Sequence, residues 1–431
     1  MAKGIGIIAD DFTGANDTGV RLAQKGLRTK VLLTDSANAS NFGDERIDVW
    51  IVDTDSRAMA AGDAYQIVHR EIMRLKTSGI TDFYKKVDST LRGPVAAELQ
   101  AMKDAGGMDM IWIVPAFPVM GRTVEHGVLY VNGVEITDTE FAKDPKTPVL
   151  KSFIPDLLGA GTAKAAVLTR EVLFSEEAPR WVQEQFERGV EWLVCDAVGE
   201  ADFAELAVLA KATELAIGWA GSAGMINHLY TELSTSENSG RQQIGAEKVL
   251  VAAGSLSGQT SGQLAALQKR EGTVMAEADP LELLEHPARA ISAMRQHLAE
   301  DGWDAAVIYV DGSEENRERV KQWAAGNGLS AAACGKGIAE GLGLLAEAAL
   351  EQFAFDAIIM TGGDTAKAIC SKLGIQDMEL KVEVEPGLPL GIVDWKNKKM
   401  AAITKAGGFG TSHSLVDAVD YLRGAGLHAN L

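Results

Sequence analysis

The chain has 431 residues, with 41 Lys and Arg against 60 Asp and Glu, a formal charge of −19 with His neutral. Its 46% hydrophobic and 23% charged content is that of a folded globular protein, and at roughly 100–200 residues per domain it predicts two domains, three at most. The acidity argues against sequence-independent nucleic-acid binding, the longest apolar runs, such as Met110–Phe117, fall far short of the ~20 residues of a membrane span, and three scattered cysteines (Cys195, Cys334, Cys370) exclude a disulfide framework and a cysteine zinc site.

Met-Ala-Lys-Gly leads straight into a strand-like run, so no secretory signal is expected and the expected location is cytoplasmic. Strands are predicted at Ile5–Ala9, Lys30–Leu33, Val49–Val52, Asp82–Lys86 and Ile111–Val114. Asn16–Gln24 and Ala61–Lys76 have helical spacing. The alternation predicts parallel βαβ units in a sheet covered on both faces. Between Arg122 and Thr137 the texture changes. His126–Val131 and Val134–Ile136 flank Asn132-Gly133, which predicts an inserted or edge hairpin. Strands at Ala165–Leu168, Trp192–Cys195 and Ile217–Trp219 follow, with a helix at Ala201–Ala212.

Residues 232–245 are polar, rich in Ser and Gly, and without periodicity. They are read as a linker between domains at 1–231 and 246–431. The second half restarts with a strand at Lys248–Ala252. Val307–Val310, Ala357–Met360, Leu390–Ile392 and Ala401–Thr404 follow, with helices at Glu314–Ala325 and Gly337–Gln352. The expected fold class is α/β: two α/β domains with mainly parallel sheets and a ligand cleft between them.

In the first half, polar motifs follow the strands. They are Asp10–Asp17, Asp53–Arg57, Lys86–Gly93 and Pro115–Pro118 with Gly121–Thr123. Ligands of open parallel sheets bind outside the carboxyl ends of the strands. The loops combine cations (Arg57, Lys86, Arg92, Arg122), carboxylates (Asp10, Asp11, Asp53, Asp55, Asp88) and hydroxyls (Ser56, Ser89, Thr90). A guanidinium fork matches a carboxylate, and carboxylates and hydroxyls suit a polyol, so the set fits a small hydroxy acid or sugar acid. Taken singly, each Asp or Ser reads better as a helix N-cap.

In the second half the loops are glycine-rich. Ala253–Gly262, Thr361–Ala366 and Lys405–Ser412 each follow a strand and lead toward a helix. Glycines admit close backbone approach, and helix-start amides bind phosphate oxygens, so three such junctions predict a phosphate cradle. No P-loop is present, since Gly335-Lys336 is followed by Gly337. The glycines of Gly4–Ala9 lie inside the first strand, which demotes a nicotinamide-linked dehydrogenase. His126 and His413 read as structural donors, and Cys370 as core.

Ala9–Gly14 (ADDFTG), Lys86–Gly93 (KVDSTLRG), PAFP with GRT, Gly254–Ser257 (GSLS), Thr361–Thr365 (TGGDT) and Lys405–Gly410 (KAGGFG) occur in the order seen in four-carbon acid sugar kinases. The whole chain resembles that family. The resemblance implies an N-terminal acid-sugar domain, a C-terminal nucleotide domain, and ATP-dependent phosphorylation of a tetronate at its terminal hydroxyl. It implies substrate contacts at Asp10, Arg57 and the segment of Lys86, Asp88, Ser89 and Thr90. The implied nucleotide contacts are Ser255 and Ser257, then Gly362, Gly363, Asp364 and Thr365, then Gly407 and Gly408. Arg57 and Lys86 are assigned to the substrate carboxylate, Asp10 and Asp88 to its hydroxyls. Mg2+ is expected beside the phosphates. Asp364 is the first candidate for base or metal contact and Asp11 the alternative.

The fourth-strand motif looks closer to the D-threonate and D-erythronate kinases than to the 3-oxo-tetronate kinases, with D-threonate preferred. The rival from another class is a non-catalytic sugar-acid-binding protein. Expected partners are the sugar acid and ATP or ADP, with neither nucleic acid nor membrane. The oligomeric state, a homo-oligomer included, stays open.

Overall fold

Ile5–Ala9, Val49–Asp53 and Met110–Val114 are buried at every position. Runs with no polar face form strands covered on both sides. The computed structural model describes residues 4–33, 46–144, 146–159, 164–230, 244–300 and 302–424. The chain divides into two units, Met1–Asn238 and Ser239–Leu431. Residues 232–243 of the expected linker lie outside the described residues.

The first unit carries β1 (Ile5–Ala9), β2 (Thr29–Leu33), β3 (Val49–Asp53), β4 (Asp82–Lys86) and β5 (Met110–Val114). A small sheet of β6 (Arg122–Glu125), β7 (Val128–Val131) and β8 (Val134–Glu135) comes next, then β9 (Lys164–Leu168), β10 (Val190–Cys195) and β11 (Ile217–Gly221). The main sheet has the order β2-β3-β1-β4-β11-β5-β10-β9 and is parallel throughout. The chain leaves β1 toward β2 on one side and leaves β4 toward β5 on the other. The β1/β4 crevice is therefore a topological switch point, where open sheets bind ligands.

The second unit carries β12 (Val249–Ala253), β13 (Thr273–Glu277), β14 (Ala305–Tyr309), β15 (Ala357–Thr361), β16 (Asp377–Glu383), β17 (Pro389–Trp395) and β18 (Lys398–Lys405). Its order is β13-β14-β12-β15-β18-β17-β16, parallel as far as β18. The β18-β17-β16 meander is antiparallel. The same logic sets the switch point between β12 and β15. The core joins Val251, Val307, Ile359 and Ile403 of the strands to Leu264 and Leu267 of helix Gly258–Gln268 and to Leu415 and Val419 of helix Ser414–Leu422.

Three sequence expectations change. The predicted continuous strand His126–Val131 is broken. His126 and Gly127 turn at φ 50° and 75°, because Asp196 accepts from both of their amides, at 2.6 and 2.8 Å. A second turn at Asn132-Gly133 (φ 51° and 78°) joins β7 to β8, so the hairpin is a three-stranded sheet. Helix Phe12–Gln24 starts four residues before the predicted Asn16, because the Asp11 carboxylate accepts from Gly14 N at 3.0 Å. Finally, β13 and β16 lie where no strand was expected. Asp377–Glu383 alternates charged and apolar residues, and the apolar Met378 and Leu380 face the core.

Candidate functional site: two strand-end sites

In the first unit the site grows from the turn after β3. Thr54 Oγ1 donates to the Ala9 carbonyl at 2.7 Å. Ser56 Oγ donates to Glu98, and Glu98 pairs with the fully buried Lys85 at 3.2 Å. This buried chain fixes the turn Ser56–Ala58, and with it Arg57. Arg57 Nε donates to Asp10 Oδ2 at 2.7 Å and Nη2 to Asp11 Oδ1 at 2.7 Å. The same Nη2 lies 3.8 Å from Asp88 Oδ1.

Asp88 receives a two-pronged bond from Arg92, at 2.8 and 3.0 Å, and another from Thr90 Oγ1. The loop carrying it is strained. Leu91 has φ 55°, a region costly for a branched side chain. Gly93 has φ 95°, and a β-carbon there would lie 2.6 Å from the Arg57 carbonyl oxygen. Gly14 leaves room in the same way for Asp11 Oδ1 and Lys86 Nζ, which would lie 2.6 and 2.9 Å from its β-carbon. Lys86 Nζ donates to the Val87 carbonyl at 2.7 Å.

These contacts set the carboxylates apart. Burial works to raise Asp10, but Arg57, with Lys85 and Lys86, outweighs it and holds the carboxyl below its usual range. Burial likewise opposes Asp88, yet Arg57 and Arg92 hold it well below that range. For Asp11 burial prevails over Arg57, and its carboxyl is raised. Asp10 Oδ1 is buried with no hydrogen-bond partner among the described residues, an acceptor suited to a substrate hydroxyl. A cavity of about 460 Å³ borders the cluster, lined by Arg57, Leu91, Gly93, Pro94, Lys146 and Lys151 among others.

In the second unit, three loops meet. Gly254 follows β12, Gly362 follows β15 and Gly407 follows β18. A β-carbon on Gly254 would collide with Thr365 Oγ1, and one on Gly407 with Ser255 Oγ. Gly362 has φ 100° and would crowd Ser255 N at 3.3 Å. Glycine at each position lets the loops close up. Ser257 Oγ and Thr260 Oγ1 both donate to the Gly407 carbonyl, at 2.6 and 3.0 Å. The buried Lys405 Nζ donates to the carbonyls of Ala406, Gly407 and Phe409 at 2.9, 3.0 and 3.1 Å. Burial lowers that amine to about 8, Glu385 opposing in part.

The loops wall a cavity of about 660 Å³ with Gly254, Ser255, Gly362, Gly363, Asp364, Thr365 and Gly407 on one side. Pro280, Val310, Val320, Leu329 and Ile338 form an apolar wall, with Asp311 and Asn316 also lining it. Helix Gly363–Lys372 starts at this wall. Helix starts leave amides unmatched within the helix and suit phosphate oxygens. Thr361 Oγ1 is buried without a partner among the described residues. The tight glycine cradle, the helix start and the apolar wall fit a nucleotide. Mg2+ needs only one or two carboxylates beside phosphate oxygens and water, and Asp364 and Asp311 have the right chemistry and place.

Of the residues singled out in the sequence, Asp10, Asp11, Arg57, Asp88 and Thr90 form one bonded cluster beside Lys86. Ser89 is half-buried in the same loop. Ser255, Gly362, Gly363, Asp364, Thr365 and Gly407 wall one cavity. Ser257 stands behind the wall on the Gly407 carbonyl. Gly408 is exposed, and a β-carbon there would meet nothing within 4 Å. Arg57, assigned to a substrate carboxylate, has two nitrogens engaged by Asp10 and Asp11. Sequence reasoning missed Lys85 and Glu98, a buried ion pair. A Glu on the apolar face of helix Val95–Gly106 was the available clue. It also missed Asp311, which follows a predicted strand as the other site residues do.

Residues 5–229 match the family of sugar-binding N-terminal domains, and residues 250–415 that of nucleotide-binding C-terminal domains. The chain is 32% identical over 432 residues to a D-threonate kinase of Salmonella typhimurium, covering 96% of this chain and 97% of the relative. It is 31% identical over 431 residues to a D-erythronate kinase of Heliobacterium modesticaldum, covering 96% of each. A solved structure from Salmonella typhimurium LT2, described as a putative tRNA synthase, shares the fold with a TM-score of 0.80 at 23% identity, over 96% of this chain and 98% of that one. The chain belongs to the four-carbon acid sugar kinase family, and it is a sugar-acid kinase. Among the described residues, no helix is long and apolar enough to cross a membrane.

Proposed function

We propose that the enzyme transfers the γ-phosphoryl group of ATP to the terminal 4-hydroxyl of a four-carbon sugar acid, D-threonate by preference, giving 4-phospho-D-threonate. The observation that carries this reading is the pair of switch-point sites. One is an ion-paired carboxylate cluster suited to hydroxyls, the other a glycine-walled cavity suited to a nucleotide. The D-threonate kinase relative supports the preferred acid. D-erythronate is the second reading, since a D-erythronate kinase matches almost as well.

Asp10, Arg57, Lys86 and Asp88, with Ser89 and Thr90 in the same loop, bind the sugar acid. Ser255, Ser257, Gly362, Gly363, Thr365 and Gly407, with Gly408 beside them, form the phosphate-binding loops. The apolar wall of Val310, Val320 and Ile338 takes the base. Asp311 would hold Mg2+, joined by Asp364 where Asp364 is not the base, and the ion would neutralise phosphate charge when bound. Phosphoryl transfer rests mainly on positioning and electrostatics. The terminal hydroxyl oxygen bonds to the γ-phosphorus as the bond to the β,γ-bridging oxygen breaks. The hydroxyl proton passes to a carboxylate, and ADP leaves. Asp364 is the first candidate for that carboxylate. Asp11 is the alternative, because its raised carboxyl accepts a proton more readily than Asp10.

An ADP-release assay over the four stereoisomeric tetronates and 3-oxo-tetronate tests the reading. The greatest kcat/KM is expected with D-threonate. A preference for D-erythronate would select the second reading. Binding of a tetronate without any ADP release would favour the non-catalytic binding protein.

A further inference from the structure

The substrate expected here is an anion, yet three carboxylates already line its site. An incoming carboxylate therefore needs a cation that those acids have not neutralised. Most cations of the first unit's site are engaged. Arg57 serves Asp10 and Asp11. Arg92 serves Asp88 and, at 3.2 Å, Asp144. Lys85 serves Glu98. Lys86 has Asp10, Asp11 and Asp17 as charged neighbours.

Arg122, like Lys86, makes no ion pair among the described residues, its acidic neighbours being Asp88 and Glu140; unlike Lys86 it offers a two-pronged fork to a carboxylate. Its Nη1 donates to the Met120 carbonyl. Its Nε is buried with no hydrogen-bond partner among the described residues. A buried donor left unmatched is costly until an acceptor arrives. The residue is held rigidly. Gly121 turns at φ 74°, and Phe117 and Arg122 exchange backbone bonds of 2.8 and 3.1 Å. The guanidinium carbon lies 5.9 Å from the centre of the Phe141 ring, and that of Arg92 lies 5.4 Å from the same ring. Phe141 thus links Arg122 to the Arg92–Asp88–Arg57 cluster.

We propose that Arg122 is the guanidinium that recognises the substrate carboxylate, and so selects sugar acids over neutral polyols. Arg57, already engaged, then organises the carboxylates that face the hydroxyls. The inference rests on the sugar-acid kinase reading and adds a specificity residue to it.

The test compares the full-length wild type with R122A, R122Q and R122K, using whichever tetronate the wild type phosphorylates. Loss of a charged, two-pronged bond should raise the acid's KM and its calorimetric Kd about 100-fold in R122A and R122Q. The kcat and the ADP Kd should change only a few-fold. R122K, a point charge without the fork, should recover part of the loss, and added methylguanidinium should partly rescue R122A. An unchanged KM in R122Q would overturn the proposal. So would a loss shared equally by KM, kcat and ADP affinity, which marks a structural residue. A wild type that neither binds nor phosphorylates any tetronate would overturn the kinase reading itself, an outcome distinct from these.

Discussion

Ser257 Oγ donates a 2.6 Å hydrogen bond to the carbonyl of Gly407, 150 residues away. The same hydroxyl caps helix Gly258–Gln268 by accepting from Thr260 N at 3.2 Å. One side chain therefore starts a helix and ties the loop after β12 to the loop after β18. Ser257→Ala should destabilise the protein by about 2 kcal/mol, a cap plus a hydrogen bond. ADP affinity should fall several-fold as the Gly407 loop loosens. Denaturant melts and ADP calorimetry check both, and unchanged ADP affinity would separate the loop from the nucleotide.

Gly362 tests the cradle more sharply. Its φ of 100° suits glycine alone, and any β-carbon would press on Ser255 N and Thr365 Oγ1. Gly362→Ala should cost about 2 kcal/mol of stability and weaken ADP binding about tenfold or more. Tetronate binding, measured by calorimetry without nucleotide, should be unaltered.

The first unit answers to Arg57. Arg57→Ala leaves Asp10, Asp11 and Asp88 without their shared cation, and breaking a buried pair in this way costs about 3 kcal/mol. The KM for the sugar acid should rise at least tenfold while ADP affinity stays within twofold. Equal loss of both would contradict the division of labour between the units.

Much of this was legible in the sequence, and the reason is local. Buried strands such as Ile5–Ala9 and Ala357–Thr361 are unbroken apolar runs, and the loops after them carry the chemistry. What the sequence hid is non-local. Nothing in the neighbourhood of Arg57 says that Asp11, 46 residues away, takes one of its nitrogens. Nothing near Glu98 names Lys85 and Ser56 as its partners. The strand Asp377–Glu383 was missed because its period-two pattern is written in charges on one face. The turn at His126-Gly127 was missed because Asp196, which holds it, lies 70 residues on.

Lys405 gives a pH signature. Burial lowers its amine to about 8, against an ordinary value of about 10.4. Between those values the unfolded chain keeps a proton that the folded chain has released. Stability from this group therefore rises with pH from about 8 to about 10.4 and is flat below. Lys405→Met should remove that rise, so the wild type should gain on the variant by up to about 3 kcal/mol across the window. Denaturant melts at pH 7.5, 9 and 10.5 check it. A constant difference between the two proteins would mean that Lys405 keeps an ordinary proton affinity.

The proposed reaction moves a phosphoryl group from ATP to the end of a sugar acid. Phosphorus NMR of the purified enzyme with ATP, Mg2+ and D-threonate follows that group directly. A phosphomonoester resonance, split into a triplet by the two protons of a terminal CH2, should grow as the γ-phosphate signal falls. Conversion of ATP to inorganic phosphate alone, or a doublet from an internal CH–O–P, would contradict it.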